Sequence, residues 1–506
     1  MPRVKTARMR GHFGGDGWPD GQWHLAEVHA FERLGRHILF DVSSMNCYET
    51  TPVVHAVVDA VRSKADGSAQ LAGGRFPRHQ IKQAVRQLQD RGILLPGAQS
   101  VPRARPKLAK RLGIRHLELM VTHACNMRCR YCYGSDDRDG WQEATHLYGA
   151  RQAGMTWETA RKGIDFLFQA SGAQKDLSVI FFGGEPLVEF DLIVQVVAYV
   201  RDKERETGKQ VGFSVSTNGI GLSQKVVDFL LAENISCQIS IDGPPAMHDR
   251  NRVLATGQGS YDRVMLGVQR LIDKRPGRVP ARVTVTAGQV DLPAVADHLM
   301  SLGFGSIHIE PVIGTAGALS LGNADLQQFE TQTEHLAHYL VRRIKDGRIF
   351  NFSNLVRHVR QIRVVDQRLA HFCGAARTYV ALAQDGAFYP CHRFVGMAEY
   401  RMGDLEQGFD DTLQRRILDL TVDDRPECRE CWARYLCGGG CWKHSVDVHG
   451  DLARSDLESS CRLIRHQIEC AMAINGALKV SDKELLSEAY ERTAEPYRIS
   501  EQGRQS

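Results

Sequence analysis

Three cysteines, Cys125, Cys129 and Cys132, share the short stretch "THACNMRCRYCYG" at residues 122–134. A structural metal site closes itself with four protein ligands, whereas a catalytic one keeps a position open. Three thiolates fill three irons of a [4Fe–4S] cube and leave the fourth iron free for a small molecule. The competing reading is a zinc ion whose fourth ligand comes from elsewhere, with His123 at hand. Of the thirteen cysteines, seven more fall between residues 373 and 461, and only Cys47, Cys237 and Cys470 stand apart. Cys237 opens a predicted strand and reads as a small core residue. The basic start "MPRVKTARMRGH" leads into no apolar export segment, so a cytoplasmic protein with metal or Fe–S ligation is expected in place of disulfides.

Further polar groups follow apolar runs. In "FFGGEP", residues 181–186, Gly183 and Gly184 let the backbone approach a ligand closely. Glu185, just before Pro186, or a nearby carbonyl, can meet an ammonium. "VSTNG" supplies Ser216 and Asn218, and "SIDGPPAMHDRNR" supplies Ser240, Asp242 and Arg252. Hydroxyls, an amide and a carboxylate suit ribose hydroxyls, and an arginine is a bidentate partner for a carboxylate. Ser240 and Asp242 before Gly243 and Pro244 also fit ordinary turn chemistry.

The elements that must position these groups are legible as a rhythm. From residue 115 the runs "HLELMVT", "LSVIFFGG", "GFSVSTNG", "CQISIDG", "ARVTVTA" and "SIHIEPV" alternate with amphipathic helical stretches. Strands alternating with helices predict an α/β fold with parallel strands in a partial (β/α)6 barrel, 115–320. The continuous apolar runs predict strands buried on both faces. Each unusual residue group follows a strand, the end at which such barrels carry their chemistry. A helical bridge, 321–372, leads to a cysteine-rich region, 373–480, with little room for an apolar core, where ligated metal would have to substitute for one. The polar stretch 481–506 is expected to be a surface helix with a loose end.

Ahead of the barrel, 1–22 reads as a flexible basic tail and 99–114 as a linker. Residues 23–98 predict a small winged-helix-like module: two strands joined by the turn "LGR", two helices and a hairpin-like "ILL". Its second helix carries Gln80, Gln83 and Gln87, but Lys82, Arg86 and Arg91 are no denser than on a solvated helix face. With a net charge of only +5, no nucleic-acid partner is expected. No apolar run approaches the roughly 20 residues of a membrane span.

The C-x3-C-x-aromatic-C pattern, with Tyr131 as the aromatic, resembles the signature of radical S-adenosylmethionine (radical SAM) enzymes. The resemblance implies that a [4Fe–4S] cluster on Cys125, Cys129 and Cys132 binds S-adenosylmethionine and cleaves it to a 5′-deoxyadenosyl radical. It further implies contacts from Gly183, Gly184, Glu185 and Pro186 to the amino group, and from Ser216, Asn218, Ser240, Asp242 and Arg252 to the rest. Cys373, Cys391, Cys428, Cys431, Cys437, Cys441 and Cys461 resemble the seven-cysteine SPASM domain of radical enzymes that modify peptides. By family topology Cys428, Cys431, Cys437 and Cys461 close one auxiliary cluster, and Cys373, Cys391 and Cys441 hold another, for three [4Fe–4S] clusters in all. The N-terminal module resembles a precursor-peptide recognition element, which adds a leader as a strand. Implied partners are a peptide or small cysteine-containing protein and an electron donor such as flavodoxin or ferredoxin.

Within that family "FFGGEPL", "YPCHRFVGM" and "ARYLCGGGCW" are most like the thioether-forming maturases of the quinohemoprotein amine dehydrogenase small subunit. Their reaction joins a cysteine sulfur to an Asp or Glu carbon. His392 follows Cys391 where sulfatase-maturating members carry aspartate, which argues against formylglycine formation. For proton transfer Asp385, His392, His308 and Glu310 are all plausible. The loop 134–154 reads either as an active-site cover or as a surface insertion.

Overall fold

The computed structural model describes residues 23–63, 75–97, 105–106, 113–134, 154–314, 317–349, 351–364 and 368–494. The expected basic tail, nearly all of the linker and of the 134–154 loop, and the last twelve residues lie outside these.

The N-terminal module comprises β1 (Trp23–Leu25), β2 (Val28–Arg33), β3 (Arg36–Asp41), β4 (Asn46–Glu49), helices Pro52–Arg62 and Arg78–Asp90, and β5 (Leu94–Pro96). β2 and β3 meet at the expected tight turn, with Leu34 and Gly35 both at positive φ. Two features differ from expectation. β4 adds a third antiparallel strand, and "ILL" forms no hairpin of its own but pairs with β1, seventy residues earlier in the chain. Alternation along β3 splits its side chains between two cores. Leu39 faces Val54, Val57, Ile81 and Leu88 of the helices, while Ile38 and Phe40 face Val422, Tyr435, Leu436 and Ile468 of the C-terminal region.

The main sheet begins with β6 (His116–Thr122), β7 (Asp176–Gly183), β8 (Gln210–Thr217), β9 (Ser236–Ser240), β10 (Pro280–Val285) and β11 (Ser306–Pro311). All six are parallel neighbours in chain order, joined by helices on one side. Helix starts are marked locally: Thr156, Ser223 and Asp291 each accept a backbone N–H of the first turn. The sheet does not close. Its order runs from β12 (Asn351–Phe352) beside β11 to β13 (Tyr379–Leu382) and β14 (Phe388–Tyr389) beside β6. The open, partial barrel is as expected.

Two expectations are corrected. β6 is buried along its whole length, as expected, but on β9, β10 and β11 the inner positions are Gln238, Ser240, Arg282, Thr284, His308 and Glu310, all partly accessible. The lumen is therefore a polar, open chamber. Second, the cysteine-rich region does have a core. β13 pairs with β6, and Val380, Leu382, Phe388, Phe394, Met402 and Trp442 are buried continuously with the barrel interior. Helices Asn323–Lys345 and Ser353–Arg363 form the bridge between them.

Candidate active site at the cysteine loop

The loop after β6 is held by backbone bonds on two sides. Thr122 and Ala124 carbonyls accept from Gly184 N (2.8 Å) and Glu185 N (2.9 Å); Arg128 N and Arg130 N donate to Val253 O (2.8 Å) and Asn251 O (2.9 Å). This explains the two glycines differently from their expected role beside a ligand. A Cβ on Gly183 would lie 2.2 Å from Thr122 O, and one on Gly184 would lie 2.3 Å from Ala124 O. They let β7 touch the cysteine loop, and Gly183 also takes a φ of 149°. Pro186 is buried and opens a short 3-10 turn.

The Glu185 carboxylate, 1% exposed, turns inward. It accepts from Leu187 N (3.0 Å), Thr217 Oγ1 (2.7 Å) and Asn218 N (2.7 Å), tying the β7 end to the β8 end. Burial pushes its pKa up against these bonds. Asn218 in turn donates to Asn126 Oδ1 at 2.7 Å and to Cys125 Sγ at 3.9 Å. Ser216 reaches Gln238 across the lumen wall at 3.4 Å, and Ser240 is half-buried beside Arg282.

Asp242 and Arg252, assigned from the sequence to a ribose and a carboxylate, meet around Tyr131. The phenol donates to Asp242 Oδ2 at 2.6 Å and accepts from Arg252 Nη1 at 2.7 Å, while Asp242 Oδ1 accepts from Thr284 N at 3.0 Å. Burial raises the Tyr131 and Asp242 pKa values, with Arg252 opposing both. The aromatic position of the motif is thus a tether between the cysteine loop and β9. Arg252 Nε stays buried with no hydrogen-bond partner among the described residues, so part of the guanidinium remains for a bound anion.

The thiols gather in three sets. Burial raises Cys129 to about 12, and Cys132 and Cys125 reinforce it while Arg252 opposes. Cys391, half-buried, lies within electrostatic reach of Cys441 and Cys373. Burial raises Cys461, with Cys437, Cys428 and Cys431 adding to it. Thiols brought within reach of one another suit a cation that deprotonates them, which fits Fe–S ligation. Among the described residues no group of His, Cys, Asp or Glu converges at single-ion geometry. Cube ligands sit on separate irons, so they need no such common point.

One residue escaped the sequence reading. Glu118 of β6, 2% exposed, accepts from His392 N (2.9 Å) and meets His392 Nδ1 at 2.9 Å. The ring also stacks on Phe182 at 4.3 Å, just ahead of Gly183. Its only sequence signal was a lone acid within an apolar strand. His308 and Glu310 lie at 3.2 Å on the lumen wall, with Arg282 3.4 Å from Glu310. Burial, then Arg282, holds His308 down at about 4. Asp385 accepts from Ala387 N at 3.0 Å, a turn role.

Comparison with known proteins agrees with this geometry. The Radical SAM superfamily profile matches residues 119–295. An uncharacterized protein of Archaeoglobus fulgidus is 28% identical over 65% of this chain and 74% of its own length. A cysteine-type anaerobic sulfatase-maturating enzyme of Clostridium novyi is 22% identical over 65% of this chain and 88% of its own. The solved structure of anSMEcpe with bound AdoMet superposes with a TM-score of 0.61 at 18% identity, covering 74% of this chain and 98% of that one, a likeness of fold. No helix among the described residues is long and apolar enough to cross a membrane. Residues 119–295, which hold the cysteine loop and the strand ends around it, are the part of the chain that matches the Radical SAM superfamily.

Proposed function

We propose that this enzyme modifies a ribosomally made peptide or small protein by forming thioether bonds between cysteine sulfur and a substrate carbon, of Asp or Glu by family resemblance. The observation that carries this reading is the grouping of ten thiols into sets of three, three and four. Cys125, Cys129 and Cys132 would hold the radical SAM cluster. Cys373, Cys391 and Cys441 would hold one auxiliary cluster, and Cys428, Cys431, Cys437 and Cys461 the other. When bound, the first cluster would supply the electron that splits S-adenosylmethionine, whose radical product removes a hydrogen atom from the substrate. The buried, unpartnered Nε of Arg252 fits the methionine carboxylate. Since the Glu185 carboxylate is occupied by Thr217, Asn218 and Leu187, a backbone carbonyl of the same turn suits the ammonium better.

Gln238, Ser240, Arg282, His308 and Glu310 line the chamber where the substrate would lie. Cys391 sits one residue from His392, which rests on Phe182 at the chamber wall, so an open iron there would be placed to take a substrate thiolate. A leader would add to the outer edge of β4, which pairs with no further strand among the described residues. A flavodoxin or ferredoxin would supply electrons. The relatives named as sulfatase-maturating enzymes and as the radical SAM cyclopropyl synthase TigE of Paramaledivibacter caminithermalis support action on peptides or proteins.

Replacing Cys125, Cys129 and Cys132 together with Ala should abolish S-adenosylmethionine cleavage by the anaerobically reconstituted protein. A substrate encoded beside this gene should lose two hydrogens per modification only while its cysteines are free. Modification that persists after cysteine blocking would point instead to another radical outcome, such as a carbon–carbon cross-link, epimerisation or decarboxylation.

A further inference from the structure

The four-thiol set spans two elements. Cys428, Cys431 and Cys437 lie in the 425–441 loop, which has only two four-residue helices, Pro426–Arg429 and Arg434–Cys437. Cys461 opens the long helix Ser460–Ala477. The N-terminal module clamps the same two elements. On the loop side, Trp432 stacks on His29 at 3.9 Å and 6°, and Phe40 meets its ring edge at 6.2 Å. Arg434, 1% exposed, is held bidentately by Glu27 and also donates to Cys431 O at 2.8 Å. On the helix side, Glu469 pairs with Arg33 at 2.7 Å and with His29 at 2.8 Å. His29 touches both sides. The apolar layer between them mixes Phe31, Ile38, Phe40 and Val42 of the module with Cys428, Cys431, Cys437 and Ile468.

Resting on the reading of this set as an iron site, we propose that Trp432 and Arg434 are positioning residues that couple the module to the four-thiol cluster. Two clamps across one pair of elements reinforce each other. Ligated iron holds the loop to the helix, so that Glu27, His29 and Arg33 find both partners in place. A seated module holds the same two elements together and so slows iron loss. Linkage of this kind is reciprocal. It gives the auxiliary cluster a task besides electron transfer: it sets where the recognition module stands relative to the chamber.

The test uses full-length protein in which Cys125, Cys129, Cys132 and Cys391 are all replaced by Ala, so that bound iron reports the four-thiol set. Loss of iron to EDTA is followed by electron paramagnetic resonance of the reduced cluster. Glu27→Gln, some 400 residues away in sequence, should speed that loss about tenfold, a barrier lowered by about 1.4 kcal/mol; Glu27→Asp should restore part of it. Conversely, stripping the iron should increase hydrogen exchange of β2 and β3 amides while β8 amides stay unchanged. Equal rates of iron loss with and without Glu27→Gln would overturn the proposal, as would β2 and β3 exchange that ignores iron. A background protein that takes up no iron overturns the cluster assignment itself, and this inference with it.

Discussion

Gly184→Ala is the sharpest single perturbation of the cysteine loop. The new Cβ would meet Ala124 O at 2.3 Å and His123 O at 2.5 Å, both rigid backbone atoms. Ordinary contact needs roughly 3.5 Å, so the loop must retreat by about 1 Å. That retreat stretches the Gly184 N to Thr122 O bond (2.8 Å) and the Glu185 N to Ala124 O bond (2.9 Å) beyond useful range. Each buried partner left unsatisfied costs about 1–3 kcal/mol, and overpacking adds about 1–3 kcal/mol. A local penalty of about 4 kcal/mol therefore falls on the segment that carries three thiols, while the seven C-terminal thiols are untouched. The assay is iron content and S-adenosylmethionine cleavage after anaerobic reconstitution. Iron should drop by roughly four atoms per chain, and cleavage by about 100-fold or more, as expected for a 1 Å misplacement. Gly476→Ala is the control: its nearest contact is 3.7 Å, in a helix, and it should stabilise by up to about 1 kcal/mol. A Gly184→Ala enzyme with full iron and undiminished cleavage would refute the argument that these glycines exist for loop contact.

Three further outcomes are expected. Tyr131→Phe removes the group between Asp242 and Arg252 and should lower stability by about 2 kcal/mol in urea denaturation, with slower S-adenosylmethionine cleavage. Glu118→Gln should loosen His392 from β6, seen as increased hydrogen exchange at residues 391–394 with the barrel strands unaffected. Burial, with Arg115 and Arg252 adding to it, holds buried His116 at about 4 and His248 at about 2. The unfolded chain takes up these protons near pH 6.5, as the folded one does not. Stability is therefore fully present above about pH 6.5 and is lost below it, by about 1.4 kcal/mol per pH unit and group. Urea midpoints at pH 7.0 and 5.5 measure the loss, and equal midpoints would contradict it.

What is periodic and local could be read from the residues alone. Alternating strands and helices, the spacing of Cys125, Cys129 and Cys132, and the turn at Leu34–Gly35 all follow from residues within one or two turns of each other. Proximity across the chain was beyond it. That Tyr131 is pinned between Asp242 and Arg252, that Glu118 holds His392 from 274 positions away, and that β13 extends the sheet beside β6 depends on parallel packing. No local pattern records such pairings. The inner faces of β9 to β11 were misread for a related reason. Half-buried Ser, Thr and Gln among β-branched residues look apolar enough in a short run, and only the open sheet reveals that they face a chamber. The glycines of "GGEP" are the clearest case: their presence was evident from the sequence, but the atoms that demand them, Thr122 O and Ala124 O, belong to a loop some sixty residues earlier.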